Sequence, residues 1–350
     1  MSGIMSTQNG ATSHHTDGGR DIGLDVTRVM ASMMVVVIHV SASLFYRFEA
    51  DWPAANFYDS LSRSAVPLFF MISGALLVPR DSDLSSIIRR AARMVVPLVF
   101  GSYVYLIWWT YNRVQPAPDL NPLSLLKGPV VFHLWFFYTL LGVYLFLPLL
   151  QGLYRKARSL HFFYLAMVLL AASIIPTLRD FGVSVPVGVD LQYFAQYAGY
   201  TFAGAVLAGI LPTPTQTLLA GALGVVFSMC TALWTWHLSV SSGAPLETVF
   251  VYHAPLVALA GAAFFVAFRG IGSNFVNGML ARITIFVAQN AVGVFIFHIF
   301  FIDQVYAHGF APDFINPWIG IPISSGMVWG ASLLASAVIR ALPYGKELLP

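Results

Sequence analysis

The sequence predicts an all-α, polytopic membrane protein: about ten transmembrane helices in one bundle, both termini cytosolic. Three observations carry that reading. Only 9% of the 350 residues are charged, with 18 Lys and Arg against 15 Asp and Glu, where soluble domains carry about 25%. Apolar residues make up 58% and aromatics 15%, and the mean hydropathy is +0.75. The apolar residues also fall into repeated stretches of about 20, the length a helix needs to cross a bilayer. So little charge cannot cover a soluble fold of this size, which excludes soluble-enzyme, disordered and secreted-domain readings. The net charge of +3 and pI near 9.0 do not indicate a nucleic-acid partner, because the basic residues are spread over short loops. The single cysteine, Cys230, lies in an apolar stretch and supplies neither a disulfide framework nor a Cys-based metal site.

Taken in order, residues 1–21 are polar and rich in Ser, Gly, Thr and His. They lack the apolar core and cleavage site of a signal peptide and read as a disordered cytosolic tail. Spans are expected at 24–46, 56–78, 91–111, 132–153, 161–178, 191–211, 215–238, 249–269, 281–303 and 318–339. Residues 22–341 thus form the transmembrane domain and 342–350 a cytosolic tail. Backbone polar groups in lipid must bond within their own segment, so the spans are helices. The short alternating segments of a barrel are absent from the pattern. Pro176 and several glycines interrupt the fifth and sixth spans.

Orientation follows the Lys/Arg bias. Arg80, Arg89, Arg90 and Arg93 follow span two; Arg155, Lys156 and Arg158 follow span four; Arg269 and Arg282 flank the loop after span eight; Arg340 and Lys346 follow span ten. The alternate loops collect acids, among them Glu49, Asp51, Asp59, Asp119, Glu247 and Asp313. The loop from Pro116 to Pro129 reads as a lid or a stiff connector.

Ionisable residues inside a span are expensive and are therefore site candidates. Span one holds Asp25, Arg28 and His39. Eleven residues at about 100° each return to within roughly 20°, so Arg28 and His39 share a helix face, separated by about 16 Å along the axis. Asp25 and Arg28, three apart, can pair. Arg63 in span two lies about 10 Å below the outer surface by helix rise, the depth expected for His39. The sequence predicts an outer-facing cluster of His39, Arg63, His133 and His298, with Arg28 and the loop arginines inside. Plainer readings compete: Arg28 and Arg93 as snorkelling interfacial anchors, and His133 and His161 as inexpensive residues at span ends. His237 and His253 read as solvated, and His308 as a loop residue. The burial of His39, after Met33, Met34 and four β-branched residues, is the hardest to explain structurally. A metal site of three histidines is an alternative, but no HxxxH or HxH spacing supports it, and no metal ligand is assigned.

These residues also carry a resemblance. Leu24-Asp25-Val26-Thr27-Arg28, then Val35 to His39, resembles the opening signature of the membrane acyltransferase-3 family, a basic residue followed after ten others by His. Arg63 with Val66 to Gly74 resembles its second-span motif, and Arg89 to Arg93 with Pro97 its basic loop. His133-Leu134-Trp135-Phe136, with Tyr144 and Pro148, resembles its "HLWF" span, and Phe295 to His298 its late "YLLH" element. The matches run in order from residue 22 to about 302.

The resemblance implies a multi-pass enzyme of the bacterial inner membrane. It would move an acyl group, usually acetyl, from cytosolic acetyl-CoA to a sugar hydroxyl of an envelope or exported polysaccharide, or of its lipid-linked oligosaccharide precursor. Association with polysaccharide synthesis or export proteins follows, as does contact with membrane lipid, and no permanently bound cofactor. In that scheme His39 is the base or a transient acyl carrier, since imidazole suits proton transfer near neutral pH. Arg63, Arg28 and Asp25 complete the catalytic set, with Arg63 stabilising the oxyanion or orienting His39. Arg90, Arg93 and Arg28 meet the phosphates of the donor. His133, Trp135, Tyr144 and His298 line the acceptor. Ser73 beside Gly74 reads as a packing serine rather than an acyl carrier. The alternative function is a proton-coupled transporter or flippase of a small solute or lipid-linked sugar, which intramembrane Arg and His also suit. No repeat of the two halves favours it.

Overall fold

A computed structural model describes residues 20–80, 82–112, 119–156, 182 and 192–350. Helices α1 (Ile22–Phe45), α2 (Trp52–Ser62), α3 (Ala65–Leu77) and α4 (Leu84–Tyr111) come first. Two 3₁₀ turns, Pro122–Leu126 and Phe132–Leu134, lead into α5 (Trp135–Lys156). Then follow α6 (Gln192–Leu207), α7 (Pro214–Ser242), α8 (Pro255–Phe275), α9 (Gly278–Gln289), α10 (Ala291–Ala307), α11 (Pro317–Ala341) and the short α12 (Gly345–Leu348). No strand occurs among the described residues.

Seven helical stretches among the described residues are long and apolar enough to cross a membrane, and eight if the bent α9–α10 pair is one span. Spans one to four, seven, eight and ten fall on the seven, and span nine on the bent pair. The fifth expected span, 161–178, lies outside the described residues, as does the tail at 1–19. The sixth is represented by α6, of which Gln192–Leu207 are described.

Local chemistry sets the ends of these helices. The Asp21 carboxylate accepts the Leu24 N–H at 3.1 Å and caps α1. Thr213 and Gln216 form a reciprocal capping box on α7, Pro214 takes its first turn, and the helix stops at Gly243 with φ 70°. The second span is broken between α2 and α3 for a definable reason: Pro67 has no N–H to give the Arg63 carbonyl. The ninth is bent by 63° at Asn290, whose Nδ2 donates to the Phe286 carbonyl at 2.8 Å.

Helix α1 is central and touches α2, α3, α8, α9, α10 and α11. Lipid tails are as apolar as side chains, so association depends on close backbone approach. Small residues supply it where α3 meets α6: a Cβ on Gly74 would run into the Thr201 backbone, and one on Gly204 into that of Met71. The Tyr105 hydroxyl donates to the Ile296 carbonyl at 2.7 Å and accepts the Phe300 N–H at 3.2 Å, tying α4 to α10.

Four expectations need correction. Asp59, counted with the external acids, is fully buried in α2. His253, expected to be solvated, is buried at 7% exposure. Arg269, expected at a loop flank, is buried and bonds Asp21 at 3.3 Å and the Ile210 carbonyl. The expected tail at 342–350 folds back, with α12 against α4 and α11 and Leu349 fully buried. The described part of the connector before α5 is fastened, because the Tyr138 hydroxyl donates to the Leu125 carbonyl at 2.6 Å.

Candidate functional site

Three imidazoles from three separate elements converge. The rings of His39 on α1 and His298 on α10 have centroids 5.0 Å apart. His133, in the 3₁₀ turn before α5, lies 4.9 Å from His298. His298 Nδ1 sits 2.7 Å from the Phe295 carbonyl. A carbonyl only accepts, so that nitrogen carries the proton and Nε2 keeps its lone pair. This Nε2 and both ring nitrogens of His133 are buried without hydrogen-bond partners. Aromatic rings surround the cluster: Phe132 lies 5.2 Å from His39, and Tyr105 lies 5.4 Å from His133. Beside His39 a small cavity of about 10 Å³ is walled by His133, Trp135, Tyr252, Phe136 and Phe295. Among the described residues no three His, Cys, Asp or Glu side chains are arranged to hold a metal ion.

Arg63 belongs to a neighbouring polar knot. Its Nε lies 2.6 Å from Asp59 Oδ1, and its Nη2 donates to Asp59 Oδ2 at 2.9 Å. Glu247, from the α7–α8 loop, stands 3.4 Å away, and the Phe250 ring lies under the guanidinium at 4.5 Å. The exposed Tyr46 hydroxyl donates to Glu247 at 2.5 Å. Partial burial and that bond push the Tyr46 phenol above its ordinary pKa. Arg63 was expected to face His39; its bonded partner is Asp59, although His39 lies within reach of its charge. Asp59 and Glu247 are the residues that sequence reasoning missed here. The i, i+4 spacing of Asp59 and Arg63 could have revealed the first; nothing local marks the second.

A larger cavity of about 390 Å³ opens on the other side of the same wall. Arg20, Arg28 and Arg340 form its charged end, Ser73, Tyr144 and Gln289 add polarity, and the remainder is mostly aliphatic and aromatic. Asp25 holds Arg20 at 2.5 Å and Arg28 at 3.4 Å. The expected Asp25–Arg28 pair is therefore present, and Arg20 joins it. Arg340 also donates to the Leu349 carbonyl. Arg90 is half-buried and within electrostatic reach of Tyr144, whereas Arg93 is exposed and does not line the cavity. Ser73 Oγ donates to the Phe69 carbonyl at 3.1 Å, the bond of a helix-packing serine.

The structure therefore brings His39, His133 and Trp135 to one chamber, with His298 packed against both histidines, and Arg28 and Tyr144 to the other. It sets Arg63 beside the first and leaves Arg93 apart. Arg20 and Arg340 were not expected. Both stood in the sequence as ordinary charges near helix ends, and only the fold aims them inward.

Over 133 residues the chain is 32% identical to a serine/alanine racemase of Enterococcus gallinarum, covering 33% of this chain and 17% of that protein. The match thus spans well under a quarter of that relative's length. No solved structure gives a significant match. The profile described as an acyltransferase domain matches residues 21–336, nearly the whole described bundle. The chain is a multi-pass membrane protein of the membrane acyltransferase-3 family.

Proposed function

We propose that the protein moves an acetyl group from cytosolic acetyl-CoA to a sugar hydroxyl of an envelope or exported polysaccharide, or of its lipid-linked precursor, in the bacterial inner membrane. The observation that carries this is a cavity with arginines at one end and, across a thin aromatic wall, the His39 imidazole. The donor has phosphates at one end and a slender neutral arm at the other. Guanidinium groups pair with phosphate bidentately, and the apolar wall suits the arm. In this reading the arginine end and both termini face the cytosol.

Transfer requires the alcohol proton to leave as the C–O bond forms. His39 takes it; the C–S bond then breaks, and the proton returns to the departing thiolate. His298, whose Nε2 is buried without a partner, and His133 pack around that base. Arg63 stands on the acceptor side, and Asp59 and Glu247 fix its direction. Trp135 and Tyr252, stacked at 5.9 Å, offer aromatic faces to an acceptor.

The test is acetyl transfer from labelled acetyl-CoA into the glycan fraction of native membranes. His39→Ala should lower it by about 10²-fold or more, the usual worth of a general base. Arg28→Ala should raise KM for acetyl-CoA more than it lowers kcat. Unchanged glycan acetylation in His39→Ala, or failure of the purified chain to bind acetyl-CoA, would overturn the reading.

A further inference from the structure

The two cavities share a wall made of two rings. Phe136 on α5 and Phe295 on α10 line both spaces, and no other described residue does so. Their centroids are 5.2 Å apart. Each ring is packed from behind: Phe70 lies 5.1 Å from Phe136, and Phe137 lies 5.7 Å from Phe295. Both are buried, at 8% exposure. Close-packed aromatics of this kind resist displacement. The space beyond them, about 10 Å³, is about enough for one water molecule.

We propose that Phe136 and Phe295 set the acyl length of the donor, admitting acetyl and rejecting longer chains. The proposal rests on the donor reading above and deepens it. A thioester carbonyl brought to His39 from the arginine-ended cavity carries its acyl tail into the smaller chamber. A methyl group fits there. Each further methylene must push apart the two rings or the imidazole cluster, whereas the large cavity behind them imposes no such limit on the rest of the donor.

The experiment uses native membranes containing the full chain and its acceptor. Thiol release is followed with acetyl-, propionyl- and butyryl-CoA, and kcat/KM is compared between donors within each variant, so that differences in the amount of folded protein cancel. Wild type should lose roughly 10-fold or more per added methylene, the usual worth of one methylene in an apolar pocket. Phe136→Ala and Phe295→Ala should raise the butyryl-to-acetyl ratio by at least ~10-fold. Phe136→Leu and Phe295→Leu should shift it in the same direction by less, and they serve if the alanine variants do not fold. Acetyl-CoA consumed by wild type with a ratio unmoved in every variant overturns the partition alone, as does equal use of butyryl-CoA by wild type. Consumption of no thioester by wild type overturns the donor reading and the partition with it.

Discussion

Arg63 illustrates how a buried charge is kept at membrane depth. It does not stand free beside an imidazole; two carboxylates and a ring face take up its charge. Removing one partner of such a pair leaves the other uncompensated, which costs about 3–5 kcal/mol. Asp59→Asn should therefore destabilise the protein by about that order in detergent unfolding, and Asp59→Leu combined with Arg63→Leu should cost less than either single change. At the exposed rim the balance differs. Arg47 and Asp313 pair at 2.7 Å with side chains 44% and 33% exposed. The hydrogen bond from Arg47 holds the Asp313 carboxyl below its ordinary pKa. A lowered folded value stabilises above the unfolded carboxyl value of about 3.9, and that stabilisation is lost as pH falls through the folded value. Asp313→Asn should cost no more than about 0.2–1 kcal/mol at neutral pH, less in high salt, and nothing in strong acid. A pH series of melting curves checks this. At this scale His39 was legible, because an imidazole after six apolar residues has no structural reason to be there. Glu247 was not, because its contact with Arg63 spans 184 positions and no local pattern encodes it.

Helices were legible where composition alone decides them. Hydropathy marked seven of the expected spans; the caps at Asp21 and Thr213 were not read from the sequence and show only in the folded chain. The breaks were harder. Pro67 was visible, and its missing N–H explains the interruption after Arg63. The bend at Asn290 has no proline to announce it and depends on a partner in another helix: Ser336 Oγ donates to Asn290 Oδ1 at 2.9 Å. Ser336→Ala should cost about 1 kcal/mol, the net worth of a buried hydrogen bond, read as a lowered melting temperature. The α3–α6 seam should be less tolerant. Gly74→Ala places a methyl against the Thr201 backbone, which cannot rotate away. Overpacking of that kind costs about 1–3 kcal/mol and should appear as a lower midpoint of thermal unfolding.

At the scale of the whole molecule, the Lys/Arg bias proposes an orientation that chemistry can check. After replacement of the exposed Cys230 by Ser, single cysteines at Glu49 and at Ser85 should react with an impermeant maleimide from opposite sides of the membrane. Labelling from the same side would reject the orientation. The two-chamber plan was only half legible. Arg28 and His39 on one face foreshadowed a charged end and a reactive end, but the wall between them comes from α5 and α10, which only the fold brings into register.

That wall has one more consequence, because Phe295 serves it twice. Its ring closes the aperture, while its carbonyl fixes the protonated nitrogen of His298. Tilting α10 to widen the passage would swing the imidazole with it, so entrance width and proton readiness cannot be tuned separately by moving the helix. Trimming the ring alone escapes that linkage. Selection for bulkier donors would on these grounds act on the side chain and leave the backbone where it is.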